Sequence, residues 1–178
     1  MYSVANQEMT WITCRPVTLK DLPTVNAVLT ETWHATYDRI YGVERVSDIT
    51  RKWHAIAKLK HELANLKSGE TAFMAGLWDG RVVATASSRR QDDTTVQLDR
   101  LYVRPPYQGL GIGAALLHSI LSALTPAANI RLEVDPGNAN AIKFYTHLGF
   151  EHVGETGDCG GAGFGIAAHI YERSMVRR

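Results

Sequence analysis

The chain has 178 residues, 45% hydrophobic and 21% charged, which is enough for one domain with a core of its own. Its 19 Lys and Arg against 18 Asp and Glu leave a formal charge of +1, which gives no electrostatic case for nucleic acid or an anionic membrane. The apolar stretches fall short of the ~18 residues of a membrane span, and the first ten residues lack the basic start and apolar block of a secretory leader, so neither is expected.

Residues 10–17 predict a first strand, ended by Arg15-Pro16. Asp21 predicts a helix N-cap, with Pro23 tolerated in the first turn, and Leu22, Val25, Leu29, Trp33 and Tyr37 then recur at helical spacing. Val46, Ile49, Trp53, Ile56, Leu63 and Leu66 mark a second helix, closed near Gly69. Thr71 to Trp78 and Arg81 to Ser88 predict two strands joined at Asp79-Gly80, a strong hairpin signal. A further strand covers about Thr94 to Arg104. Ile112, Leu116, Leu117, Ile120, Leu121 and Leu124 predict a buried helix, with Pro126 just past its end. Ile130, Leu132 and Val134 alternate with Arg131 and Glu133 in a short strand. Asn138 can cap the next helix, which ends at Leu148-Gly149-Phe150. Final strands near 150–156 and 164–175 flank the Gly-rich run DCGGAGFG.

The order β-α-α-β-β-β-α-β-α-β-β predicts an α+β, or mixed α/β, fold over a single domain, residues 1–178, with 1–9 a flexible lead-in. The strand at 94–104, its helix and the strand at 130–134 make one β-α-β unit, so those two strands should be parallel with a right-handed crossover, within an otherwise mostly antiparallel sheet. The two cysteines, Cys14 and Cys159, match neither a metal-ligand spacing nor a disulfide framework, which predicts a reducing, cytoplasmic compartment. The seven histidines include no His-x-x-x-His pair, and no metal site is expected.

The strand at 94–104 carries an irregularity of parity. Val96 and Leu98 are apolar at even positions, Leu101 and Val103 at odd ones, so a regular strand cannot send both pairs to one face. A β-bulge near Asp99-Arg100 would restore a single apolar face. Otherwise one pair packs under the opposite layer of helices. Directly afterwards comes Gln108-Gly109-Leu110-Gly111-Ile112-Gly113-Ala114, running into the buried helix. Glycines allow close backbone approach, and a helix N-terminus offers free N–H groups and partial positive charge, so this loop suits a phosphate. Tight packing alone is the simpler use. The glycines also fit the dinucleotide pattern G-x-G-x-x-A, with Glu133 about twenty residues downstream. Against that, Arg104 to Gln108 separate strand from glycines, and too little chain follows Glu133 for a doubly wound domain.

At these residues the chain resembles the GCN5-related N-acetyltransferase (GNAT) superfamily. Its pyrophosphate signature, Arg/Gln-x-x-Gly-x-Gly/Ala, is matched by Gln108, Gly111 and Gly113 after LDRLYVRPPY. The block Asn138-x-x-Ala141-Ile142-x-Phe144-Tyr145-x-x-Leu148-Gly149-Phe150 resembles the family's second cofactor segment. The resemblance spans nearly the whole chain and implies acyl transfer from acetyl-CoA to an amine, with no metal. It implies that the bulged strand and its parallel neighbour splay into a V that receives the pantetheine arm. Leu101, Tyr102 and Val103 would contact that arm, with Val103 N–H polarising the thioester carbonyl. Gln108, Gly109, Leu110, Gly111, Ile112, Gly113 and Ala114 would hold the pyrophosphate, and Asn138 and Tyr145 would approach the arm and its sulfur.

The acceptor amine must lose a proton, and a lysine-like amine at pKa ~10.4 is neutral about once in 2,500 molecules at pH 7. A base is therefore expected. Glu133 is the first candidate: Leu-Glu-Val, five residues before Asn138, resembles ribosomal-protein N-terminal acetyltransferases. Asp99 is the alternative base, and a solvated Glu133 paired with Arg131 is the bland reading. Tyr145 could return a proton to the leaving thiolate. Trp33, Tyr37 and Tyr41, at steps of four, are either core or an acceptor-contacting row. A catalytically silent acyl-CoA-binding module is the competing function. The acceptor stays open among peptide or protein amines, polyamines and other small amines, as does a homodimer.

Overall fold

A computed structural model describes residues 12–159, 163 and 165–175; the expected lead-in 1–9 and part of the Gly-rich run lie outside them. Seven strands are joined in one sheet: β1 (Ile12–Pro16), β2 (Thr71–Trp78), β3 (Arg81–Arg90), β4 (Thr95–Val103), β5 (Asn129–Val134), β6 (Glu151–Thr156) and β7 (Ala168–Ser174). Five helices accompany them: α1 (Leu22–Tyr41), α2 (Val43–Trp53), α3 (Ile56–Ala64), α4 (Ile112–Ala123) and α5 (Ala139–His147). The spatial order is β1-β2-β3-β4-β5-β7-β6. Neighbours are antiparallel except β4 and β5, the parallel pair of the β-α-β unit.

Strand periodicity divides the core. Along β2, Phe73, Ala75 and Leu77 pack with Leu22, Val25 and Leu29 of α1 and Leu59 of α3. Ala72 and Met74 face the other way, into the cluster built on Leu116, Leu117 and Ile120 of α4. Because β2 is covered on both faces, its sequence is almost continuously apolar rather than alternating. Leu116 and Ile120 are fully buried, and each stabilises the fold by about 1.5–3 kcal/mol through burial. Among the described residues, no helix is long and apolar enough to cross a membrane.

The hairpin between β2 and β3 turns at Asp79 (φ 48°) and Gly80 (φ 72°), both in the left-handed region, as that dipeptide predicts. Two local expectations change. Asp21 precedes α1, but its carboxylate does not cap that helix. It instead accepts from Thr18 N–H (2.8 Å) and Thr18 Oγ1 (2.7 Å) and pairs with Arg15 (2.7 Å), which closes the preceding 3-10 turn at Leu19–Asp21. The second helix is two helices. The chain breaks at His54-Ala55, where Asn26 Nδ2 donates to His54 O (2.7 Å), Ala55 takes ψ 133°, and the His54 ring is buried.

Candidate active site

The parity break in β4 is a bulge. Ser87 pairs with Arg100 and Ser88 with Leu98, so Asp99 is the additional residue. Val96 and Leu98 then share the α4 face with Leu101 and Val103. The parallel ladder runs only from Thr95–Asn129 to Leu98–Leu132, and no pairing joins β4 to β5 beyond the bulge. Direction follows from the ladder on the other edge. Arg104 N–H donates to Val83 O (3.0 Å), so the main-chain groups of Tyr102, two residues back, also face β3, and those of Leu101 and Val103 face the gap toward β5. The Val103 carbonyl is taken by Gln108 Nε2 (2.9 Å), which turns the Gln108 side chain back onto the strand. The Leu101 groups and the Val103 N–H remain directed into the gap.

Below that gap the chain enters α4 through the glycine loop. Gly109 (φ 76°) and Gly111 (φ 85°) adopt left-handed backbone that a side chain would strain. Gly113 is needed for a different reason: a Cβ there would lie 3.1 Å from Phe144 Cζ on α5. Gly111 is the N-cap and provides no side-chain cap, and the first α-helical bond runs from Ala115 N–H to Gly111 O (3.1 Å). The N–H groups of Ile112, Gly113 and Ala114 therefore precede the helical ladder at its positive end. The Ile112 side chain is buried in the core, while Leu110 is exposed.

Asn138 joins two layers. Its Oδ1 accepts from Ala141 N–H (3.1 Å), capping α5, and its Nδ2 donates to Tyr37 Oη (3.1 Å) on α1. Two helical turns beyond the cap, Tyr145 is buried edge-on between Phe144 and Phe150, with ring centroids 5.1 and 5.4 Å away. Burial raises its phenol well above the ordinary value, so it stays protonated at neutral pH.

Tyr145, Glu133, Tyr102, Trp33, Tyr37 and Asn138 all line one cavity of about 560 Å3 that also reaches the bulge. Tyr102 directs its side chain to this side: Trp33 Nε1 donates to its hydroxyl (3.0 Å), and burial pushes that phenol up to about 12. Trp33 and Tyr37 are buried at a centroid distance of 4.5 Å. Tyr41 extends the row and donates to Asp135. His34 and Asp38, interleaved with them, bond each other (2.7 Å).

Glu133 does not take Arg131 as its partner: Arg131 reaches Glu172 across the strands (3.1 Å). Glu133 instead stands against the Cys159 thiol, which burial and then that carboxylate push up to about 12. Asp99 stands at the bulge, ion-paired with Arg89 and with its side chain 27% exposed. Partial burial nevertheless pushes its carboxyl up to about 6. Glu133 and Asp99 line the same cavity, so geometry keeps both within it.

The cavity lining also includes Asp135, His54 and Cys159, none of them a site candidate from the sequence. Asp135 is buried, accepting from Tyr41 Oη and from Gly137 N–H (2.7 Å). Its Asp-Pro-Gly sequence was the available signal, since aspartate commonly accepts from the backbone two residues on. His54 and Cys159 carry no local signal; the helix break and the β6–β7 connection bring them in.

The Acetyltransferase (GNAT) family model matches residues 29–150. An uncharacterised N-acetyltransferase of Mycobacterium bovis is 38% identical over 82 residues, which is 45% of this chain and 53% of that protein. The chain thus spans about half the length of this mycobacterial relative. A spermidine N(1)-acetyltransferase of Thermoplasma acidophilum is 26% identical over 142 residues, 79% of this chain and 88% of the relative. The crystal structure of the PaiA N-acetyltransferase from Thermoplasma acidophilum in complex with coenzyme A superposes with a TM-score of 0.78 at 25% identity, covering 92% of this chain and 99% of that one. The ribosomal-protein-S18-alanine N-acetyltransferase of Escherichia coli shares the fold, with a TM-score of 0.67 at 19% identity over 94% and 96% of the two chains.

Proposed function

This chain belongs to the GNAT acetyltransferase family, and from that premise we propose that it transfers an acetyl group from acetyl-CoA to a primary amine, by direct attack in a ternary complex. The observation that carries the proposal is the opening between β4 and β5. Unpaired main-chain groups of Leu101 and Val103 line it, the glycine-rich N-terminus of α4 follows it, and the cavity containing Glu133 and Tyr145 adjoins it.

The Leu101 main chain would pair with the pantetheine arm as another strand does, and the N–H groups from Gly109 to Ala114 would bind its pyrophosphate. Val103 N–H, facing the same opening, would stabilise the charge that the thioester oxygen gathers as the carbonyl becomes tetrahedral. Glu133, directly or through water, takes a proton from the acceptor ammonium, and the freed nitrogen lone pair attacks the thioester carbon. The C–S bond then breaks with its electron pair on sulfur, Tyr145 donates a proton to the thiolate, and the attacking nitrogen gives up its second proton, through water, to restore the phenol. Amide and free CoA thiol are the products, with one net proton released to solvent.

The acceptor this cavity suits is a small polycation. Carboxylates at Glu133 and Asp135 stand beside the Trp33, Tyr37 and Tyr102 rings, a lining that attracts ammonium groups through charge and ring faces. The spermidine activity named for the Thermoplasma relative supports that choice. The deciding experiment follows free-thiol release from acetyl-CoA across polyamines, lysine peptides and peptide α-amines. Spermidine or spermine should give the highest kcat/KM. CoA binding without thiol release on any amine would favour a silent acyl-CoA-binding module instead.

A further inference from the structure

Away from the cavity, β6 and β7 bring three potential metal ligands onto one surface patch. His152 and Glu155 are three residues apart, so a regular strand would point them to opposite faces. Between His152 and Gly154 the ladder slips, with Val153 the additional residue, and His152 pairs with Tyr171 while Glu155 pairs with His169. Tyr171 and His169 alternate on one face of β7, so the bulge delivers His152 and Glu155 to that same face. The two imidazoles lie 4.7 Å apart by centroid, inclined at 49°. His169 Nε2 is 3.7 Å from Glu155 Oε1. One ligand atom from each of the three residues lies within 4.8 Å of the other two.

An ion with bonds of about 2.1 Å holds its ligand atoms about 3.0–3.4 Å apart, so these three groups need to close by only about 1–2 Å. His152 and Glu155 are exposed and His169 half-buried, which leaves their rotamers free to do so. Two imidazoles and one carboxylate suit zinc and its first-row neighbours; calcium and magnesium favour all-oxygen sets.

We propose that His152, Glu155 and His169 form a surface site for a divalent ion of the zinc class, with the remaining coordination positions open to water. The site would clasp β6, which has a single neighbour in the sheet, to β7 at the mouth of their connection. Glu155–His169 is followed by one last pair, Thr156–Ala168, before the chain leaves to carry Cys159 toward Glu133.

The chelator-treated 178-residue chain is titrated with CoCl2, read by visible d–d absorption, and with ZnCl2, read by calorimetry. One equivalent should bind with micromolar affinity, zinc should displace cobalt, and the thermal midpoint should rise with zinc concentration. His152→Ala, His169→Ala and Glu155→Gln, all on the surface, should each weaken binding by about tenfold or more, whereas His118→Ala on the exposed face of α4 should not. No saturable binding below about 1 mM, or equal affinity in the His152→Ala/His169→Ala double variant, overturns the site.

Discussion

Acidification should unload a defined part of the stability through His54. Its residue is 2% exposed, Nδ1 is buried without a hydrogen-bond partner, and Arg100 and Lys58 add positive potential. Burial, then those cations, push its pKa down to about 3. The fold thus favours the neutral ring, while the unfolded chain binds a proton near pH 6.5. The sign is definite: the contribution is fully present above pH 6.5 and is lost as pH falls toward 3. Over that window each pH unit costs about 1.4 kcal/mol, so moving from pH 7.5 to pH 5 removes about 2 kcal/mol through this residue. That corresponds to a urea midpoint about 1 M lower for a domain of this size. Urea unfolding at both pH values is compared with His54→Phe, whose ring fills similar space and cannot titrate. The wild type should lose about 2 kcal/mol more than the variant across the interval. Parallel losses would refute the reasoning, because His54 would then bind a proton as readily in the folded chain as in the unfolded one.

Glu133→Gln should lower kcat/KM on a polyamine by about 10²–10³, with part of the loss recovered at high pH as the free amine becomes available; Asp99→Asn, at a carboxylate engaged by Arg89, should cost less, and the reverse ranking would assign the base to Asp99. Tyr145→Phe should keep CoA affinity within about threefold, because the ring still packs against Phe144 and Phe150, and slow kcat by roughly 10–10³ in pre-steady-state turnover. Gly111→Asp should abolish CoA binding in calorimetry by placing strain and negative charge at the N-terminus of α4. Unchanged affinity in that folded variant would leave the loop a packing device.

What could be read from the sequence was set by short-range physics. Parity along β4 located the bulge because a strand repeats every two residues, and the shift at Ser87/Ser88 falls where Val96-Leu98 and Leu101-Val103 disagree. Asn138 was recognisable as a cap because capping is local, and its Oδ1 bond to Ala141 N–H bears this out. The apolar spacing of the second predicted helix continues across His54-Ala55, so the sequence predicts one helix; the break comes from Asn26, 28 residues away, capturing the His54 carbonyl. The candidate cavity was legible on the strand and loop sides only. The Cys159–Glu133 contact depends on the β6–β7 connection, and the Tyr41–Asp135 bond spans 94 residues. The His152–Glu155–His169 patch was hidden because its ligands follow no regular spacing until Val153 shifts the register.

The alternation along β4 has a consequence for isotope labelling of the main chain. Tyr102 and Arg104 hold their amides against β3, whereas Leu101 and Val103 present theirs to the opening. Within a single strand, deuterium should enter residues 101 and 103 early and residues 102 and 104 late, a sawtooth rather than the smooth gradient of a fraying end. A molecule seated in the opening would level that sawtooth by slowing only the early pair, so occupancy could be read amide by amide without any acyl group being transferred.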